Sequence, residues 1–172
     1  LAIRTEGFAD VERIGGGELI DALNSAYSEF GEDETIVICR SNKKAVRYNL
    51  GIRSMVDFKE EKLLRGDKLM IVKNCYQFLD EESPMGYIAN GDVARLERIG
   101  NFEDRYGLHF ASATLTFPDY DDERIVAKVL LDTLESDSAS LTSQQQSALY
   151  EGVNEDYSHI KSKKRRYEQV RE

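Results

Sequence analysis

A cluster of polar side chains suited to holding a phosphate group follows the apolar run Ile36–Cys39. These side chains are Arg40, Ser41, Asn42 and Lys43. Arginine can donate to two phosphate oxygens at once, while serine and asparagine can each donate single hydrogen bonds. A helix that begins directly after a strand adds its first amides to such a site. A second interpretation stays open, because Ser41 or Asn42 can simply cap the helix.

Three further polar residues, Lys73, Asn74 and Asn90, lie at the ends of predicted strands. Small β-barrels bind single-stranded nucleic acid through such loops, so these residues are candidate nucleic-acid contacts. Turn chemistry is the alternative, because the dipeptide Asn90-Gly91 favours a tight hairpin turn. Nearby aromatic residues can either stack on bases or fill the core of a barrel; they are Tyr76, Phe78 and Tyr87.

The motifs of complete active sites are missing from the sequence. Three glycines at residues 15–17 precede a helix, but no GxxxxGK(S/T) phosphate loop is present, and a plain turn is favoured. His109 and His159 have no serine or cysteine at an indicative spacing. The acidic stretch Pro118–Glu123 lacks the spacing of a calcium loop and is typical of a solvated loop. We therefore expect neither a catalytic residue nor a metal site in this chain.

Composition and charge limit the partners of the chain. Its 172 residues carry a net charge of −9, which argues against general binding of polyanions. Basic residues concentrate after His159, so a nucleic-acid contact would have to be local. No apolar run approaches the roughly 20 residues that span a bilayer, and we expect no membrane partner. Cys39 and Cys75 lack the spacing of a zinc site, which indicates reduced thiols and a cytoplasmic protein.

The first 62 residues predict an α/β unit. Short strands are expected at Val11–Ile14 and Ile36–Cys39, and helices at Glu18–Phe30 and at about Lys43–Val56, because apolar residues recur there at helical spacing. Gly31 is a plausible cap at the end of the first helix. The order strand, helix, strand, helix predicts a parallel sheet, as in a RecA-like or Rossmann-like layer.

Residues 63–135 predict a small antiparallel β-barrel that interrupts this layer. A strand is expected at Lys68–Lys73, a hairpin around Asn90-Gly91, and strands of period two within "GLHFASATLTF" and "ERIVAKVLLDTL". Residues 136–172 return to helix, where Thr142 and Gln145 have the spacing of a capping box. The first residue is Leu1, which suggests a piece cut from a longer chain.

Three segments in order, "TIVICRSNKKAVRYNLGIR", "GDKLMIVKN" and "YIANGDVARLERI", resemble the second motor domain of RecD-like, superfamily-one DNA helicases. In that family a strand ends in a polar motif and runs into a helix. A GDKVM-type strand then leads to an "NGD" hairpin inside an inserted barrel of the Src-homology-3 type. The resemblance covers Phe8–Glu172. It implies the first part of a RecA-like (P-loop NTPase type) motor domain in residues 1–62, the inserted barrel in 63–135, and a truncated helical return in 136–172.

The resemblance also implies functions for particular residues. Arg40, Ser41 and Asn42 match the family motif near the DNA track and the cleft between motor domains, while Gly66-Asp67-Lys68 and Asn90-Gly91-Asp92 match partly structural barrel motifs. The implied protein is an ATP-dependent DNA helicase or exodeoxyribonuclease of DNA repair. This piece would help grip single-stranded DNA and close the ATP cleft.

Several parts of that machinery have no counterpart in the sequence, namely the Walker A lysine, the Walker B acid, the family's H-K-(A/S)-Q-G segment and its final arginine motif. The resemblance therefore assigns ATP and Mg²⁺ to the parent protein, names the missing first motor domain as a partner, and implies that this piece alone is inactive. The alternative is a non-enzymatic β-barrel module that binds nucleic acid or protein.

Overall fold

A computed structural model describes residues 4–55, 61–79, 82–134, 136, 140–162 and 164–165. The chain divides into two compact units, residues 1–62 and residues 63–172, and each is described by itself. The described residues form three α-helices and one four-stranded antiparallel sheet, so the expected mixture of helix and sheet is confirmed. Within the same residues, no helix has both the length and the apolar character that crossing a membrane requires.

Two helices form the regular structure of the first unit. Helix α1 spans Leu19–Phe30 and helix α2 spans Asn42–Met55, close to the predicted bounds. Gly31 ends α1 with a positive φ of 83° and donates its amide to the last turn of the helix, as expected of a glycine cap. Leu23 of α1 and Ile52 of α2 are the buried residues of these helices.

The predicted strands of the first unit are absent from its described residues. Neither Val11–Ile14 nor Ile36–Cys39 adopts strand structure, and Ile36 and Ile38 are 82% and 88% exposed. The predictions of strands at Val11–Ile14 and Ile36–Cys39 were therefore wrong. A strand exists only where a neighbouring segment completes its hydrogen-bond ladder, and the described part of this unit contains no such neighbour.

The second unit is built on the antiparallel sheet. Its strands are β1 (Lys68–Met70), β2 (Val93–Arg105), β3 (Leu108–Phe117) and β4 (Glu123–Leu130), and they lie side by side in chain order. The prediction of consecutive antiparallel strands is confirmed, although β1 ends earlier than expected. The described strands form a curled half-barrel.

Alternation along β3 and β4 divides the sheet into an inner, apolar face and an outer, polar face. Leu115 lies opposite Leu96 of β2 and opposite Ile125 of β4, and all three are buried. Phe117 at the end of β3 is fully buried. These side chains belong to one hydrophobic cluster, which forms the core of the unit: Met85, Ile88, Ala94, Leu96, Ala113, Leu115, Phe117, Ile125 and Ala127.

Helix α3, Ser143–Asp156, begins with the predicted capping box. Thr142 Oγ1 accepts a hydrogen bond from the Gln145 amide at 3.2 Å, and Gln145 Oε1 accepts one from the Thr142 amide at 3.0 Å. The two bonds satisfy amides that a helix start otherwise leaves without a partner. Here the sequence pattern predicted the start of the helix correctly.

The end of α3 is held against the turn between β2 and β3. Arg105 Nη2 donates to Asp156 Oδ2 at 2.6 Å, and the Tyr106 hydroxyl donates to the same oxygen. The bond from Tyr106, followed by that from Arg105, lowers the pKa of the Asp156 carboxyl below its ordinary value. The Tyr106 ring also packs so closely on Gly152 that a Cβ atom there would lie 2.1 Å from its Cδ1 atom.

We expect Gly152→Ala to lower the melting temperature of the protein. In a helix without tertiary contacts, alanine in place of glycine stabilises by about 0.5–1 kcal/mol. Here the added methyl group would collide with the Tyr106 ring, so the ring must move and lose its bond to Asp156. Ala148→Gly, at an exposed position of the same helix, is the control for propensity alone. A rise in melting temperature for Gly152→Ala would show that α3 is not packed on Tyr106.

Candidate nucleic-acid interface

The polar residues after Cys39 lie where helix α2 begins. Ser41 acts as the cap, because its carbonyl oxygen accepts from the amides of Lys44 and Ala45 at 3.0 Å each, and its Oγ lies 3.4 Å from the Lys44 amide. Arg40, Ser41, Asn42 and Lys43 are all exposed. The capping interpretation thus holds for Ser41, while Arg40 remains available at the surface beside the first turn of the helix.

The two Gly-Asp motifs form the same local structure twice. In Leu64–Asp67 and in Ala89–Asp92, the aspartate amide donates to the carbonyl oxygen three residues earlier, at 3.1 and 3.2 Å. The aspartate Oδ2 atom then accepts from the amide of that first residue, at 2.6 and 2.7 Å. Gly66 and Gly91 have φ angles of 92° and 102°, which favour glycine.

Each of these turns also forms a β-bulge, in which two residues face one residue of the partner segment. Gly66 donates to the Leu96 carbonyl oxygen at 2.7 Å while Leu96 donates to that of Asp67 at 2.9 Å. In the second turn, Gly91 donates to the Ile71 carbonyl and Ile71 to that of Asp92, both at 2.8 Å. The motifs therefore fix the two ends of the pairing between β1 and β2.

Two of the predicted nucleic-acid contacts meet at the second turn. Asn74 Oδ1 accepts a hydrogen bond from the Asn90 amide at 2.8 Å, while the neighbouring Lys73 is exposed. The bond between the two asparagines ties the arms of the hairpin together. The turn interpretation therefore accounts for the position of both residues, and Lys73 stays at the surface. These three lie in the second unit, whereas Arg40, Ser41, Asn42 and Lys43 lie in the first.

An aromatic pair lies beyond this turn. Cys75 and Ile88 form an isolated bridge, with both amide-to-carbonyl hydrogen bonds at 2.9 Å. Next to the bridge, the rings of Tyr76 and Tyr87 stack with their centroids 5.3 Å apart, and they are 68% and 43% exposed. Phe78 is also exposed at 47%. These aromatic residues are thus at the surface rather than in the core.

The outer face of the sheet carries cross-strand ion pairs that the sequence analysis did not identify. Glu97 accepts from Thr116 Oγ1 at 2.7 Å and forms an ion pair with Arg124. Its pKa is lowered, with the Thr116 bond as the largest cause. Lys128 Nζ donates to Glu103 Oε2 at 2.7 Å and, as the largest cause, lowers the pKa of Glu103. No local motif indicates these contacts, since the partners lie 19 or more residues apart.

The histidine on β3 has a structural contact. The His109 amide donates to Asp132 Oδ2 at 2.7 Å, and its ring Nδ1 lies 3.1 Å from Asp132 Oδ1. Burial works to raise the pKa of Asp132, but the bonds from His109 outweigh it and leave the pKa lowered. Pro118–Tyr120 forms a short 3-10 turn. Among the residues with described positions, no group of three metal-ligating side chains is close enough to hold an ion.

Comparisons with known proteins add no identification. No protein-family model matches the chain, and neither a search of curated proteins nor a search of solved structures gives a match. The fold and these surfaces therefore define only a class, a protein of mixed helix and antiparallel sheet with exposed basic and aromatic groups.

Proposed function

We propose that this chain is part of an ATP-dependent DNA helicase or exodeoxyribonuclease of the RecD-like type, and that it helps to grip single-stranded DNA. The observation that carries the proposal is the exposed corner at the start of α2. Arg40, Asn42 and Lys43 lie together there beside the capped first turn, although the chain as a whole is acidic. An arginine at the start of a helix suits a phosphate group.

Two other features support the proposal. The family's Gly-Asp motifs correspond to a repeated turn that organises the pairing of β1 with β2, so the motifs form a coherent unit. Ile36 and Ile38 are exposed, and neighbouring strands would cover them in the RecA-like layer that we propose for the parent protein. The finer fold in this proposal is that layer with an inserted barrel of the Src-homology-3 type.

The role assigned to the corner is positioning. Arg40 would hold the DNA backbone without reading bases, because phosphate contacts carry no sequence information. The chain contains no GxxxxGK(S/T) loop, the motif whose backbone amides hold the phosphates of a nucleotide in P-loop proteins. The proposal therefore places ATP, Mg²⁺ and the first motor domain in other parts of a cytoplasmic parent protein.

The test is fluorescence anisotropy of a labelled single-stranded oligonucleotide titrated with this chain. We expect Arg40→Ala to weaken binding about five-fold at about 0.1 M salt, since each phosphate contact contributes about 0.7 to the logarithmic salt slope. Arg47→Ala, an exposed arginine of the same helix, is the matched control. A third variant neutralises the basic residues of 161–166.

The variants separate three outcomes. Loss of binding with Arg40→Ala, but not with Arg47→Ala, supports a DNA contact at the corner. Loss only when residues 161–166 are neutralised would mean general attraction to a basic segment and would contradict the proposal. Absence of binding by the unaltered chain would favour a module that binds protein.

The second candidate function is a non-enzymatic module of the second unit that binds nucleic acid or protein. The stacked and exposed pair Tyr76 and Tyr87 favours it, because exposed aromatic rings are common anchors in binding surfaces. Under this alternative, Arg40→Ala leaves DNA binding unchanged while substitutions in the second unit reduce it.

A further inference from the structure

One row of residues on the outer sheet face crosses all four strands and carries a cation on three of them. Lys68 of β1 lies opposite Arg95 of β2, Arg95 opposite Thr116 of β3, and Thr116 opposite Arg124 of β4. Residues directly opposite one another in an antiparallel sheet share a face. The buried neighbours Ala94, Leu96 and Ile125 point to the core, which places this row on the outside.

More cations extend the row along the sheet. Arg98 lies opposite Thr114, in the next row of the same face. Lys128 lies opposite Ser112, one row beyond that. Arg65, in the first Gly-Asp turn, is near enough to Glu97 to act on it electrostatically. Among the described residues, six basic side chains thus lie on or beside the outer sheet face, and Glu97 and Glu103 pair with two of them; the six are Arg65, Lys68, Arg95, Arg98, Arg124 and Lys128.

This concentration of charge has a definite end. Beyond Glu103, the end of the sheet carries Asp104 and Asp156 beside Arg105 and His109, so charges of both signs are present. The basic part is therefore a bounded patch on a chain whose net charge is −9. A patch of one sign on a protein of the other sign attracts a partner of complementary charge to that place.

We propose that the outer sheet face binds the phosphate backbone of single-stranded nucleic acid. The class of ligand rests on the function proposed above, whereas the location is independent of the Arg40 corner. Across the strands, from Lys68 to Arg124, the patch measures roughly 14 Å, because neighbouring strands lie about 4.8 Å apart. Along β4, from Arg124 to Lys128, it measures roughly 13 Å, at about 3.3 Å per residue. A stacked single strand with the duplex rise of about 3.4 Å per nucleotide would place about four nucleotides on it.

The side chains among and beside the cations favour a single strand over a duplex. Ser112 lies in the row of Lys128, where its hydroxyl group can donate to a phosphate oxygen. Phe102, in a bulge of β2 just before Glu103, is 68% exposed, and Val126 of the outer sheet face is 59% exposed. An exposed aromatic ring can stack on an unpaired base, which a duplex does not offer.

The cross-strand ion pairs are compatible with this role. Glu97 and Glu103 hold Arg124 and Lys128 in place on the surface, and both cations remain more than half exposed, at 67% and 53%. A phosphate group can approach their open sides while the carboxylates keep the side chains ordered. Because these long side chains are already ordered, binding does not cost their conformational entropy a second time.

The test compares paired charge substitutions in titrations with a labelled oligothymidine. We expect Arg98→Gln with Lys128→Gln to weaken binding about 25-fold at about 0.1 M salt and to reduce the logarithmic salt slope by about 1.4, the effect of two phosphate contacts. Arg4→Gln with Arg13→Gln changes the net charge equally at exposed positions of the first unit, and it should leave the slope unchanged. Circular dichroism of each variant checks that the fold is retained.

Phe102→Ala distinguishes single-stranded from other ligands. It should weaken binding of the oligothymidine about five-fold or more, as expected for one stacked base, and leave binding of a duplex of the same length unchanged.

Equal loss for both pairs of charge substitutions, or tighter binding of the duplex, would overturn the proposal. Loss with Arg40→Ala but not with the Arg98 and Lys128 pair would overturn it while leaving the proposed function intact; the reverse result would support the outer sheet face and reject the corner.

Discussion

Phe117→Ala is expected to lower the free energy of unfolding of the second unit by about 3–5 kcal/mol, the usual cost of removing a large buried ring. Phe117 has no exposed surface and belongs to the cluster between the sheet and the segment around Met85 and Ile88. Domains of this kind are stable by only about 5–15 kcal/mol. This single substitution would therefore remove a large fraction of the stability that keeps β3 and β4 in register.

Urea unfolding followed by circular dichroism measures this loss, and Val126→Ala is the matched control. Val126 lies on the neighbouring strand but faces outward and is 59% exposed, so we expect its substitution to cost under about 1 kcal/mol. Similar losses for the two variants would contradict the assignment of inner and outer faces. That result would also remove the basis for a separate basic surface, because the assignment of Arg124 and Lys128 to the outer face depends on the same alternation.

The strands β3 and β4 could be predicted because apolar residues occupy their inward positions and mostly polar residues their outward positions. Ala113, Leu115 and Phe117 alternate with Thr114 and Thr116 on β3, and this period of two is visible in the sequence. The start of α3 was equally predictable, because both residues of its capping box are local. The elements that could be predicted are thus those whose defining residues lie within a few positions of one another in the sequence.

The segment Ile36–Cys39 could not be predicted in the same way. A continuous apolar run is typical of a strand covered on both faces, but the run alone does not supply the neighbours that cover it. In the described residues, Ile36 and Ile38 are largely exposed. The helices on either side were predicted well, because each has an apolar face of its own and Gly31 ends the first of them.

The outer sheet face was hidden from sequence reasoning for a geometric reason. Its cations are spread between Arg65 and Lys128, and the register of the sheet brings them together. A bulge at Glu97 also shifts the register of β2, so that Arg95 and Arg98, which are three residues apart, lie opposite Thr116 and Thr114 of β3 and share one face of the sheet. Strict alternation would have placed these two arginines on opposite faces. A local reading of charge could therefore find the basic residues after His159 but not this surface.

The repeated Gly-Asp turn allows a comparison of one hydrogen bond in two environments. Asp67 and Asp92 each accept from the amide three residues earlier, at 2.6 and 2.7 Å. Asp67 is only 4% exposed, whereas Asp92 is half-buried and accepts a second, longer bond from the Tyr120 hydroxyl at 3.3 Å. Burial raises the cost of losing a partner, because water cannot replace the lost bond.

We expect Asp67→Ala to lower the free energy of unfolding by about 2–3 kcal/mol and Asp92→Ala to lower it by about 1 kcal/mol, on the usual scale for hydrogen bonds to charged groups in buried and more exposed positions. Asp67→Asn should recover part of the loss, since its side-chain oxygen can still accept from the Leu64 amide. Hydrogen exchange of the Leu64 and Ala89 amides reports each turn separately, and each amide should exchange faster only in its own variant. Equal losses for Asp67→Ala and Asp92→Ala would show that burial does not set the strength of this turn. The two Gly-Asp motifs would then be interchangeable ends of the hairpin. A larger loss for Asp67→Ala would instead mean that the position of β1 depends chiefly on the first turn. The position of Lys68 on the outer sheet face would then depend on the same turn.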